Sequence, residues 1–171
     1  MPQASSSAVL MICLAVSVTI VASACASRNP PPRFPGAIAP SKPRSASEAG
    51  VRLAETALRL QGTPYRDAGS DPSGFDCSGL VQYVFAQHGI TLPRSVREQF
   101  QAGLAVPRVT LVPGDLVFFA TTAGTASHVG IVVGADSFVH APSGRGTVRV
   151  DHLSAEYWTR HYIGARRILL P

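Results

Sequence analysis

Helical spacing of apolar residues ends near Gly103, and every later apolar segment reads as a short strand. That change of texture leaves few folds open. In the first half, Val51, Ala54 and Leu58, flanked by Leu53, Ala57 and Leu60, form one stripe at helical spacing. A capping box of Ser45 and Glu48 opens this helix, and Gly62 and Pro64 stop it. Residues 65–74 are turn-rich and aperiodic. Asp76 is placed to cap a second helix from 77 to about 88, with Leu80, Val81, Val84 and Phe85 facing the core and Gly89 closing it in the left-handed region. A second capping box, Ser95 with Glu98, opens a short helix that Gly103 ends. Strands are predicted at 116–120, 128–133, 137–141, 147–150 and 162–169, with a short helix at 154–158. Residues 128–133 and 137–141 flank Gly134-Ala135-Asp136 and read as a hairpin. Helices first and neighbouring strands afterwards predict an α+β domain, its N-terminal helices packed on a mainly antiparallel sheet of about five strands.

The domain is expected to occupy residues 48–171. Ahead of it, residues 8–24 are almost wholly apolar or small and end at Cys25, and the segment 1–25 reads as an export signal. Ala22, Ser23 and Ala24 before the cysteine resemble a bacterial lipobox, which implies lipid attachment at Cys25; an ordinary signal cut near Ala24 or Ala26, or an uncleaved anchor, is the alternative. Residues 26–47 hold six prolines between Asn29 and Arg44, so they read as an extended tether without a packed face. The surplus charge also sits there: Arg28, Arg33, Lys42 and Arg44 face no acid, whereas from Glu48 onward 11 basic side chains meet 10 acidic ones. A near-neutral domain carries no electrostatic footprint for nucleic acid, and that class of partner is excluded.

Three cysteines are present, Cys13, Cys25 and Cys77. Once export removes or lipidates the first two, Cys77 is a lone thiol without a disulfide partner. It stands in the first turn of the second helix, where unpaired N–H groups and the helix dipole favour a thiolate. Gly74 and Gly79 leave room for a neighbouring backbone or a substrate. A nucleophile needs a base, and the base an orienting partner. His128 and Gly130 share one face of their strand, while Val129, Ile131 and Val133 enter the opposite layer. A three-residue turn centred on Ala135 sets His140 opposite Gly130, which makes His128 and His140 diagonal neighbours; Gly130 is expected to keep the space between them clear. His88, His152 and His161 have plain structural readings. The trio Cys77, His128 and His140 could instead hold zinc, but no pair has close ligand spacing, and neither metal nor cofactor is expected.

Tyr65-Arg66, Gly74-Phe75-Asp76-Cys77-Ser78-Gly79-Leu80-Val81, Leu92-Pro93-Arg94-Ser95 with Gln99, Pro113-Gly114-Asp115-Leu116-Val117-Phe118-Phe119 and Ser127-His128-Val129-Gly130-Ile131 resemble the NlpC family of cell-wall cysteine peptidases. Phe138-Val139-His140-Ala141-Pro142 and Gly164-Ala165-Arg166-Arg167 continue the pattern, so the resemblance spans residues 50–168 in order. It implies a papain-like domain that hydrolyses peptidoglycan stem peptides, at the bond joining D-glutamate or D-alanine to diaminopimelate. It also implies that Cys77 is the nucleophile, His128 the base and His140 its orienter, that Tyr65 lines the oxyanion side, and that Asp76 and Ser78 help shape the substrate subsites. One departure is Ala68-Gly69, where the family commonly has a glycine pair. No wall-binding module is recognisable ahead of the domain, so the tether is expected to deliver a monomer to the wall from the periplasmic face of the membrane. A catalytically silent wall-binding lipoprotein, and a papain-like amidase or acyltransferase, are the competing readings.

Overall fold

The computed structural model describes residues 46–168 except Ala123 and Arg145. The export segment, Cys25, most of the tether and the capping residue Ser45 lie outside the described residues. The elements run α1 (Ala46–Leu58), β1 (Ser70–Asp71), β2 (Gly74–Phe75), α2 (Cys77–Ala86), α3 (Val96–Gln99), β3 (Leu104–Ala105), a 3-10 turn (Arg108–Thr110), β4 (Leu116–Phe119), β5 (His128–Val132), β6 (Ser137–His140), β7 (Arg149–His152), α4 (Glu156–His161) and β8 (Tyr162–Arg167). The expected α+β order is present. The sheet has six strands in the order β3-β8-β4-β5-β6-β7, all pairings antiparallel, against the five expected. The extra strand is β3, a two-residue rung on β8 too short to show any period. The loop at 65–74 likewise contains a two-residue hairpin, β1 with β2.

One face of the sheet, with Leu116, Phe118, Val129, Ile131 and Val139, packs on Leu53 and Ala57 of α1 and Leu80, Val81, Val84 and Phe85 of α2. The other buries Val117, Phe119, Val132 and Phe138 under Leu153 and Trp158. Each large side chain so buried contributes on the order of 1.5–3 kcal/mol, which makes this two-faced sheet the rigid frame of the molecule.

Local departures from the sequence reading have identifiable causes. Val51 is 42% exposed, and the buried row of α1 is Ala49, Leu53, Ala54 and Ala57. Gly50 decides the rotation: a Cβ there would lie 2.2 Å from the Pro113 carbonyl oxygen, so α1 meets the turn before β4 backbone to backbone. The strand expected at 147–150 is displaced to Arg149–His152, because Val148 exchanges backbone hydrogen bonds with Thr63 and Gly62 and Thr147 bridges Pro64. The helix expected at 154–158 begins at Glu156, since Ser154 is bonded to Asp136 through both its N–H and its hydroxyl.

Candidate active site

Asp76 is the N-cap of α2 and accepts from the Gly79 N–H at 2.7 Å, which fixes Cys77 as the first helical residue. Gly79 leaves room for backbone: a Cβ there would lie 2.0 Å from the Gly69 carbonyl oxygen. Asp76 also accepts from Arg94, which donates to the Ser78 hydroxyl at 2.8 Å as well. The Arg94 guanidinium holds the Asp76 carboxyl below its ordinary range although burial works the other way. Asp76 and Ser78 therefore turn their polar atoms toward Arg94 and shape the site by holding α2 and the loop at Gly69. Gln99 adds donors to the Ser78 and Pro93 carbonyls. Tyr65 donates to Asp67 at 3.1 Å, and burial, this bond and the nearby Cys77 and Asp76 push its phenol up to about 12.

The Cys77 sulfur is half-buried, and the backbone N–H donors of Val129, Ser78 and Cys77 around it favour its charged form. Val129 directly follows His128 on β5, the strand against which α2 packs. Among the described residues the sulfur is not hydrogen-bonded to an imidazole. Burial, then the Asp76 carboxylate, push the thiol up to about 11 despite the three donors. The helix N-terminus that favours a thiolate is thus opposed by burial and by the Asp76 carboxylate.

Pairing of Ile131 with Val139 and Val132 with Phe138 puts His140 opposite Gly130 at the next step, as the turn centred on Ala135 demands. His128 Nε2 and His140 Nδ1 are 2.8 Å apart, with the rings at 87°. Gly130, however, makes room for Phe138: a Cβ would lie 2.5 Å from that ring rather than crowd the imidazoles. His140 is fully buried and His128 is 7% exposed. Burial holds both rings well below the ordinary histidine range, helped in His128 by its neighbour and resisted in His140 by Asp151.

Two residues of this constellation were not singled out from the sequence. Asp151 of β7 stands opposite Phe138, hence diagonal to His140, and its Oδ2 is 3.0 Å from His140 Nε2. Trp158 Nε1 donates to the same oxygen at 2.9 Å, and Arg149 donates to both oxygens. Burial works against ionisation, but these donors hold the Asp151 carboxyl below its ordinary range. The indole also stacks on His128, with ring centroids 5.4 Å apart at 21°. A strand placed at 147–150 ends before Asp151, so the alternation that joins Arg149 to Asp151 was hidden. The remaining histidines stay apart from the pair: His88 contacts Thr56, His152 contacts Ser137 and His161 contacts the Tyr157 carbonyl.

A cleft of about 590 Å³ opens beside the pair, lined by His128, Arg149, Asp151, Tyr157 and Trp158 among others. The groups that acyl transfer uses are present: a sulfur at a helix N-terminus, a buried pair of imidazoles on β5 and β6, and room next to His128.

The sequence model of the NlpC/P60 family matches residues 62–167. Murein DD-endopeptidase MepH of Escherichia coli is 43% identical over 130 residues, which covers 72% of this chain and 48% of that protein. Murein DD-endopeptidase MepS/Murein LD-carboxypeptidase of the same organism is 37% identical over 171 residues, covering 91% of this chain and 90% of that protein. The chain thus spans about half of one relative and nearly all of the other. Among solved structures, an NlpC/P60 family protein from Bacillus cereus superposes with a TM-score of 0.68 at 36% identity, covering 75% of this chain and 44% of that one.

Proposed function

This chain belongs to the NlpC/P60 family, and from that premise we propose that it is a peptidoglycan endopeptidase of the cysteine type. What supports the reading is the buried His128–His140 hydrogen bond on β5 and β6 together with a half-buried Cys77 at the start of α2, the helix that packs on β5. Stem-peptide bonds to diaminopimelate are the substrate class. The DD-endopeptidase names of MepH and MepS support the D-alanyl cross-link as the first candidate, and the D-glutamyl bond is the second.

His128 Nδ1 takes the Sγ–H proton as the sulfur attacks the carbonyl carbon, so the thiolate forms only as it is consumed. The Cys77 N–H, with a neighbouring donor on the Tyr65 side, stabilises the oxyanion. The imidazolium then gives its proton to the leaving amine, and the C–N bond breaks to leave a thioester. Water loses a proton to His128, attacks the thioester carbonyl, and the thiol is restored as the acid departs. Because His128 lines the cleft, the leaving amine and the peptide beyond it occupy that space. Export and lipid attachment at Cys25, with residues 26–47 as tether, would keep the domain at the wall as a monomer.

Purified sacculi incubated with the full chain should release peptides whose masses identify the bond cut. Cys77→Ala should release none while its circular dichroism stays that of the parent. Cleavage retained by Cys77→Ala would end the cysteine-peptidase reading.

A further inference from the structure

Asp151 lies outside the Cys-His-His set, and its place has a consequence for proton order that rests on the endopeptidase reading above. We infer that Asp151 is a positioning residue that fixes the direction of both protons in the histidine pair, so that His128 presents an unprotonated Nδ1 to the Cys77 thiol.

The argument is donor and acceptor counting along one line of contacts. Asp151 Oδ2 already receives the Trp158 indole N–H and an Arg149 N–H, so it faces His140 Nε2 as an acceptor. His140 Nε2 must therefore carry the hydrogen. A neutral imidazole has a single N–H, which leaves His140 Nδ1 with a lone pair. At 2.8 Å from that lone pair, His128 Nε2 has to donate, and it holds the one hydrogen of that ring. His128 Nδ1 is left bare. The reverse order would put a hydrogen on Nδ1 and close the only route for the thiol proton. Neutrality of both rings follows from their setting, since His140 is fully buried between Phe138 and Trp158 and His128 lies under the same indole. The device is geometric: His128, His140 and Asp151 occupy diagonal positions on the three consecutive strands β5, β6 and β7, on one face of the sheet.

Nitrogen-15 NMR of the histidine side chains in the parent protein at neutral pH tests this without any variant. Both His128 and His140 should carry one hydrogen, on Nε2. A hydrogen on Nδ1 of either ring, or a doubly protonated ring, overturns the proposal. Kinetics on muropeptides give a second reading. Asp151→Ala removes the acceptor and should lower kcat by about twofold to tenfold with KM nearly unchanged, as the reverse proton order becomes populated. Asp151→Asn keeps a carbonyl oxygen where Trp158, Arg149 and His140 all donate, so it should hold the Nε2 order and stay within a few-fold of the parent rate. An Asp151→Ala protein with the parent's kcat and proton order refutes the inference. If the parent cleaves no muropeptide, the endopeptidase reading falls while the nitrogen signals still decide the proton order.

Discussion

His128 and His140 join through a 2.8 Å nitrogen–nitrogen contact, one ring nearly and the other fully buried, diagonally across a strand pair with Gly130 between them. Such a contact holds the ring of the proposed base in one orientation, and its loss should be seen in turnover first. His140→Ala is expected to lower kcat by about two orders of magnitude and leave a residual rate, because the sulfur, the base and the oxyanion donors remain. Steady-state rates on a purified muropeptide check this. An unchanged kcat would remove His140 from the mechanism.

The pH profile follows from the direction of the histidine shifts. Burial holds His128 below its ordinary 6.5, so the proposed base stays unprotonated into the acid range. The acid limb of kcat/KM should lie well below pH 6.5 rather than at it. Stability has the same sign. Below pH 6.5 the unfolded chain binds protons at residues 128 and 140 that the folded protein refuses, so Tm should fall as pH drops from 6.5 toward the lowered folded values. Calorimetry across that window should show the loss, and a Tm flat from pH 7 to 4 would contradict it.

Arg94 ties Asp76, Ser78 and the Gly69 carbonyl to one guanidinium. Its removal leaves the Asp76 carboxylate, whose side chain is 15% exposed, without its cation at the start of α2. Arg94→Ala should destabilise the domain by about 2 kcal/mol and lower kcat as Cys77 loses its fixed position. Urea unfolding followed by the kinetic assay separates the two effects. A variant with the parent's midpoint would show that the Asp76 cap stands alone.

Ala68, the residue at which the sequence departs from the family's glycine pair, has φ 56 and is the one non-glycine residue in the left-handed region among the described residues. An L-residue pays for that conformation where glycine does not. Ala68→Gly should therefore stabilise the protein by about 0.5–1 kcal/mol, seen as a Tm rise of about 2–4 °C. The side chain is exposed, so no packing is lost to offset the gain. A lower Tm would show that the loop gains more from the stiffness of alanine than it loses in strain.

Much of this molecule is legible in short-range pattern. Helical spacing and capping signals gave α2 and α3; Gly89 closes α2 at φ 75 as expected, whereas α3 ends at Gln99 with Phe100 as its C-cap, four residues before Gly103 at φ 70. Period-two alternation with a turn of known length gave the β5–β6 register and with it the His128–His140 neighbourhood, since a one-residue slip would have turned the rings apart. Those features depend on residues close in sequence, where the backbone's own periods fix which side chains share a face.

Contacts between distant segments were decided only in three dimensions. The hydrogen bonds of Val148 with Gly62 and Thr63 moved β7 two residues along, and that shift brought Asp151 onto His140. Arg94 reaches Asp76 across 18 residues, and the state of the Cys77 thiol depends on how deeply the folded sheet buries it. The sequence by itself determined the types of the reacting groups and their local geometry. Their electrostatics came from tertiary structure, because desolvation and long-range hydrogen bonds act only once segments far apart in the chain have closed around the site.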